Sequence, residues 1–154
     1  MQKRLIFIAL AVVSALAIWS HAQESAKQNR RYIKLALPGN LTTVPFSHGV
    51  LVGDTLYLSG TLSIDPKTGK PPTEVEQEAR IAMDSFVSVL KEANMTPDDL
   101  VSVTVYCTDL SQYAKFNNVY RSYFKKDFPA RAFIGAGNLL FGAKFEIQGI
   151  AVRK

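Results

Sequence analysis

Polar and apolar residues alternate through Lys144-Phe145-Glu146-Ile147-Gln148-Gly149-Ile150-Ala151-Val152. A strand there puts Lys144, Glu146, Gln148, Ile150 and Val152 on one face and Phe145, Ile147, Gly149 and Ala151 on the other. The same period of two runs through Val101-Ser102-Val103-Thr104-Val105-Tyr106-Cys107, and another apolar run begins at Phe128-Pro129-Ala130-Arg131. Tyr32 to Leu37 reads as a first strand, stopped by Pro38-Gly39-Asn40. Ser47 to Val52 and Thr55 to Ser59 are strand-like runs joined at Gly53-Asp54, a natural hairpin turn. Asp65 to Pro72 is turn-rich, and its prolines cannot donate to a central strand.

Between the strands the period changes. Val75, Ala79, Ala82, Phe86, Val89 and Ala93 recur at steps of three and four, which predicts a helix with one apolar stripe. Thr73 and Glu76 supply a capping box at its start, and Asn94 with Pro97 stops it. A second helix is predicted from Ser111, with Tyr113, Phe116, Asn117, Tyr120 and Phe124 on its buried side. Asn117 is the polar member of that stripe, either a satisfied structural amide or a holder of a loop that shapes a site. Gly135, Gly137 and Gly142 call for a tight turn or a close approach between the last two strands.

Strands, helix, strand, helix, strands is the order of a single α+β domain, with both helices on one face of a mixed sheet of five or six strands. Two helices leave the other face, which carries Glu146, Gln148, Ile150 and Val152, without a cover. Self-association would cover it, and clefts between copies are where ligand pockets commonly form. Arg131 and Glu146 stand inside predicted strands, where a charge is costly unless paired or liganded.

With 47% hydrophobic content, the 154 residues suffice for one ordinary domain after a leader. Met1-Gln2-Lys3-Arg4 is a basic start, Leu5 to Trp19 is apolar, and Ser20-His21-Ala22 offers small residues for cleavage before Gln23. The apolar run is short for a membrane span of roughly 20 residues. Residues 1–22 are therefore expected to be a signal peptide, 23–30 a polar lead-in and 31–154 the domain, placing the mature chain in the periplasm or outside the cell with no membrane attachment. Removing Lys3 and Arg4 reduces the formal charge of +5 to a mild +3, and the remaining basic residues are scattered, so no nucleic-acid partner is expected. Cys107 is the single cysteine, which excludes an intrachain disulfide, and its place in an alternating run favours a buried thiol over a reactive one. His48 is the single histidine after cleavage, so a histidine-rich metal site or a two-histidine nuclease within one subunit is excluded.

Ser59-Gly60 after a strand, Asp65-Pro66-Lys67-Thr68-Gly69, Asp109-Leu110, Asn117, Tyr120, Phe124, Phe128-Pro129-Ala130-Arg131 and the ending Glu146 to Arg153 resemble the reactive-intermediate deaminase family, RidA, also called YjgF/YER057c/UK114. The likeness runs from about Phe46 to Lys154. It implies a chorismate-mutase-like fold with a six-stranded mixed sheet and a homotrimer with a cleft at each subunit boundary. It also implies cofactor-independent, metal-free hydrolysis of 2-imino or enamine acids, such as 2-iminopropanoate and 2-iminobutanoate, to 2-oxo acids and ammonia. Arg131 matches the arginine that grips the substrate carboxylate, and Glu146 the glutamate that positions or deprotonates water. Ser59 and Gly60 match a backbone-rich edge of the pocket, Asn117 an asparagine near the site, and Phe46 a position at which many relatives carry a tyrosine. Leu140 and Gln148 depart from a common proline and a common second glutamate, and a more apolar pocket would favour larger imino acids. A non-catalytic trimer that binds small carboxylates or client proteins is the alternative. An endoribonuclease is a further one, although it would need a base, an acid and a phosphate-stabilising group.

Overall fold

The computed structural model describes residues 29–36 and 43–154. The leader and cleavage site, most of the lead-in and the Pro38-Gly39-Asn40 stop lie outside these residues. The described strands are β1 (Arg30–Ile33), β2 (Gly49–Val52), β3 (Thr55–Leu62), β4 (Leu100–Cys107), β5 (Ala130–Gly135) and β6 (Phe145–Val152). Two helices, α1 (Val75–Glu92) and α2 (Tyr113–Arg121), stand between β3 and β4 and between β4 and β5. Among the described residues no helix is long and apolar enough to cross a membrane.

The sheet order is β1-β2-β3-β6-β4-β5, antiparallel except for the parallel pair of β4 and β5. A parallel pair cannot be closed by a tight hairpin, and α2 provides the crossover. The last strand, β6, inserts between β3 and β4. α1 therefore has to cross over the position that β6 fills, and β6 ties the two halves of the sheet together.

Both helices cover one face, as the order of elements predicts. Ala79, Ala82, Met83, Phe86, Val89 and Leu90 of α1 are buried with Leu56, Leu58, Val103, Val105, Ile147 and Ala151 of the sheet. A fully buried Phe such as Phe86 contributes roughly 1.5–3 kcal/mol. Its ring lies against the backbone of Gly149, where an added Cβ would stand 3.0 Å from the ring and 2.7 Å from the Ser102 carbonyl oxygen. The glycine in the alternating run thus sets how close α1 comes to the sheet. Cys107 is fully buried, with its Sγ donating to the Asp109 carbonyl at 3.1 Å, in line with a structural thiol.

Several local expectations are corrected. The Thr73/Glu76 capping box does not form. The N-cap of α1 is Glu74 with no side-chain capping bond, and the reciprocal box lies at Thr96 and Asp99, on the short turn before β4. Ser111 lies inside a 3₁₀ turn, Leu110–Gln112, and the α-helix starts only at Tyr113; the Asp109 carboxylate accepts from Ser111 N at 2.9 Å and tightens the entry. Tyr113 is half exposed instead of buried, and Phe124 falls beyond the end of α2. The first strand begins at Arg30 and ends at Ile33. Lys144 precedes β6 and turns its ammonium to the helix side, away from the face of Glu146, since a fully buried carboxylate of α1, Glu78, lies there at 2.8 Å.

The chain after β1 is fixed by His48, whose Nδ1 accepts from Leu35 N at 3.0 Å. That bond requires a ring nitrogen without a proton, and burial lowers the His48 pKa from its ordinary value. The folded pKa lies below the unfolded one, so the contribution is complete above about pH 6.5 and is lost as pH falls through the folded value. Urea midpoints are expected to drop between pH 7.5 and 5.5 more steeply in the wild type than in His48→Asn. Parallel curves would remove this role.

Candidate functional site

Arg131 sits on β5 opposite Val103, so its side chain leaves the sheet on the helix face, as does that of Phe133 opposite Val105. α2 lies over this edge. The Tyr120 ring centre is 4.4 Å from Arg131 Cζ, and Arg131 Nη2 donates to Asn117 Oδ1 at 2.7 Å. Asn117 is thereby explained: its amide holds the guanidinium in place. Arg131 Nη1 is buried and has no hydrogen-bond partner among the described residues. A buried donor left unmatched costs about 1–3 kcal/mol, so the arrangement suits an incoming acceptor.

The guanidinium opens onto a cleft of about 190 Å³ lined by Tyr113, Asn117, Tyr120, Arg121, Phe128, Pro129 and Arg131. Two of these groups are cationic and none is acidic. Burial pushes the Tyr120 phenol up to about 12, against the opposing pull of Arg131. The Tyr113 phenol is shifted the other way, lowered first by the Asn117 side chain and then by the Arg131 charge.

Glu146 lies elsewhere. It is paired with Leu62 of β3 and Tyr106 of β4, and the alternation of β6 turns it to the face that the helices leave open. One chain therefore carries Arg131 and Glu146 on opposite faces of its sheet, with no ion pair between them. The Glu146 carboxylate has no hydrogen-bond or ion-pair partner among the described residues. Beside it, the β3–β6 register slips by one residue between Leu58 and Thr61, a bulge formed at Ser59-Gly60. A Cβ at Gly60 would overlap Glu146 Oε1, so glycine is what allows the carboxylate to lie against the backbone. Both the amide and the hydroxyl of Ser59 donate to the His48 carbonyl at 3.1 Å. Phe46 is half exposed, with its ring edge-on to His48 at 5.7 Å.

The six residues singled out in the sequence thus form two half-sites. Arg131 and Asn117 make one, on the β5 edge under α2. Glu146, Gly60, Ser59 and, through His48, Phe46 make the other, along β2, β3 and β6. Leu140 and Gln148, the departures noted above, are both exposed; Gln148 donates to Tyr106 Oη at 3.0 Å. The open sheet face around the second half-site also carries Tyr57 at 51% exposure and Val152 at 37%.

Sequence reasoning missed two functional candidates. The aromatic stripe places Tyr113 in the core, but as the first residue of α2 it lies where the stripe reaches the cleft mouth. Glu78 went unremarked although it stands three residues after Val75, on the apolar stripe. Its carboxylate accepts from Ser63 Oγ at 2.6 Å and from the backbone amide and ammonium of Lys144.

Fold and site define the chain as a small α+β protein with a cationic, aromatic-lined cleft at one sheet edge and an unengaged carboxylate on the open face. A family model described as endoribonuclease L-PSP matches residues 39–153. The chain belongs to this family, the RidA/YjgF family. It is 38% identical over 110 residues to the 2-iminobutanoate/2-iminopropanoate deaminase of Bos taurus, covering 71% of this chain and 80% of that one. It is 34% identical over 113 residues to the protein of the same name from Escherichia coli K12, covering 71% and 88%. The solved structure of E. coli TdcF with bound serine superposes with a TM-score of 0.72 at 29% identity, covering 80% of this chain and all of that one.

Proposed function

We propose that this protein hydrolyses reactive 2-imino and enamine acids to 2-oxo acids and ammonia, in clefts formed between the subunits of a homotrimer. The observation that carries the reading is the Arg131 guanidinium, fixed by Asn117 and Tyr120 with one buried nitrogen unmatched and a cleft in front of it. A planar guanidinium pairs with a carboxylate through two parallel hydrogen bonds, which selects 2-imino acids and fixes the carbon to be attacked. The names of the relatives and the serine bound to TdcF support a ligand of this kind.

The opposite placement of Arg131 and Glu146 supports a composite site. A carboxylate bound at Arg131 of one copy would meet the Glu146, Gly60 and Ser59 half-site of another. The open sheet face, with its exposed Tyr57 and Val152, is the surface by which copies would associate. Glu146 then takes the proton from water as its oxygen adds to the imine carbon, and collapse of the adduct releases ammonia. Orientation of water and substrate is sufficient for an electrophile of this kind. The aromatic lining at Tyr120 and Phe128, and Phe46 in the facing half-site, would admit apolar side chains larger than that of 2-iminopropanoate. The leader would deliver the mature chain, as a cofactor-free hydrolase, to the periplasm or outside the cell.

Glu146→Gln tests the chemistry against simple binding. It is expected to lower ammonia release from freshly generated 2-iminopropanoate by on the order of 10²-fold, while pyruvate affinity stays near that of the wild type. Unchanged turnover would leave a carboxylate-binding protein with Glu146 idle.

A further inference from the structure

Phe46 brings no hydroxyl to the second half-site, and the cleft at Arg131 holds the phenol of Tyr113 beside Asn117 and Arg131. Tyr113 lines this cleft and is 48% exposed. Its ring is fixed edge-on against Phe133, with centroids 5.0 Å apart and planes at 89°, and the Arg131 Cζ is 5.9 Å from the ring centre. Tyr113 and Asn117 are one helical turn apart on α2, so the amide that holds the guanidinium and the phenol face the same space. We propose that Tyr113 is a catalytic residue of the imino-acid site, donating a hydrogen bond to the imine nitrogen and replacing the hydroxyl absent at Phe46.

The inference rests on the deaminase reading above. In a 2-imino acid the nitrogen is bonded to the carbon that bears the carboxylate, so a guanidinium that fixes the carboxylate also fixes the nitrogen beside it. A donor next to the guanidinium is then placed to polarise the C=N bond. As the water oxygen bonds to carbon, the π pair moves to nitrogen, which takes the phenol proton. The water's own proton goes to Glu146 of a second copy, and returns through solvent to the phenolate. Tyr120 is the less suitable donor, because it is buried beneath the guanidinium and burial pushes its phenol up to about 12. Tyr113 reaches the open cleft, and the nearby Asn117 and Arg131 lower its pKa, which makes it the better acid.

Tyr113→Phe keeps the ring and its packing on Phe133, so folding is preserved. It is expected to lower kcat for 2-iminopropanoate by on the order of 10²-fold, with pyruvate affinity within about threefold of the wild type. In the wild type, kcat should fall as pH rises through the depressed phenol pKa, and that alkaline limb should vanish in Tyr113→Phe. Adding Phe46→Tyr to Tyr113→Phe should recover at least about tenfold of the loss, since it restores a hydroxyl from the facing half-site. A Tyr113→Phe enzyme with wild-type kcat and an unchanged pH profile would overturn the proposal. If the wild type itself releases no ammonia, the deaminase reading fails. The contact is then decided by ultraviolet titration of the phenol: a Tyr113-dependent shift on adding pyruvate supports it, and a titration indifferent to pyruvate overturns it.

Discussion

Arg131→Ala is expected to lower kcat/KM for 2-iminopropanoate by about 10²- to 10³-fold, corresponding to about 3–4 kcal/mol, without changing the oligomeric state. The size follows from what the guanidinium does in the proposed site. It supplies two charge-assisted hydrogen bonds to the carboxylate, and its removal leaves that anion facing Tyr120 and Phe128 with only Arg121 as a nearby cation. The fold should tolerate the change, because Arg131 makes no ion pair among the described residues and its hydrogen bond is to a neutral amide. Arg131→Lys separates charge from shape. An ammonium keeps the attraction but cannot form the fork, so an intermediate loss is expected. Steady-state ammonia release with size-exclusion profiles measures both. Turnover equal to the wild type in Arg131→Ala would remove Arg131 from the site.

The largest expected effect on stability belongs to Lys144→Met, at about 3 kcal/mol or roughly 10 °C in Tm at fixed protein concentration. Glu78 is fully buried, and Lys144 is its only ion-pair partner among the described residues. Removing the ammonium leaves a buried carboxylate compensated only by Ser63 Oγ and the residue 144 amide. The ammonium is about a third exposed, which keeps the figure at the low end of the range for breaking a buried pair. The double variant Glu78→Gln/Lys144→Met should be more stable than Lys144→Met alone, because it removes the stranded charge. Thermal unfolding of the single and double variants checks this. A Tm for Lys144→Met at the wild-type value would mean that the pair carries no net interaction.

The sheet and its helix face were legible because period is a strong signal where one side is buried. The alternation in Lys144 to Val152 and in Val101 to Cys107, and the three-four spacing from Val75 to Ala93, each match an observed element to within a residue at one end. Capping was less legible. Thr73 has the right chemistry for an N-cap, but where a helix starts depends on how the preceding chain arrives, and the pattern of a capping box does not encode that. The two charged strand residues also stood out, because a charge in an apolar run is anomalous whatever the topology. Their separation onto opposite faces was not legible. It depends on β6 entering between β3 and β4 and on the parallel register that sets Arg131 opposite Val103, both long-range outcomes. Tyr113 escaped because helical spacing reports a side of the helix, and cannot distinguish the core from a cleft at the end of the same stripe. Glu78 escaped because its compensation comes from Ser63 and Lys144, distant in sequence and joined only by the fold.

In the proposed site Arg131 of one copy and Glu146 of another serve one substrate, and subunit mixing tests this pairing. Arg131→Ala and Glu146→Gln homo-oligomers, each inactive alone, are dissociated, mixed in equal amounts and reassembled. If each cleft draws the two residues from different chains, random mixing gives about one fully wild-type cleft in four. Recovery to about a quarter of wild-type ammonia release is therefore expected. No recovery in assemblies shown to contain both variants would contradict it.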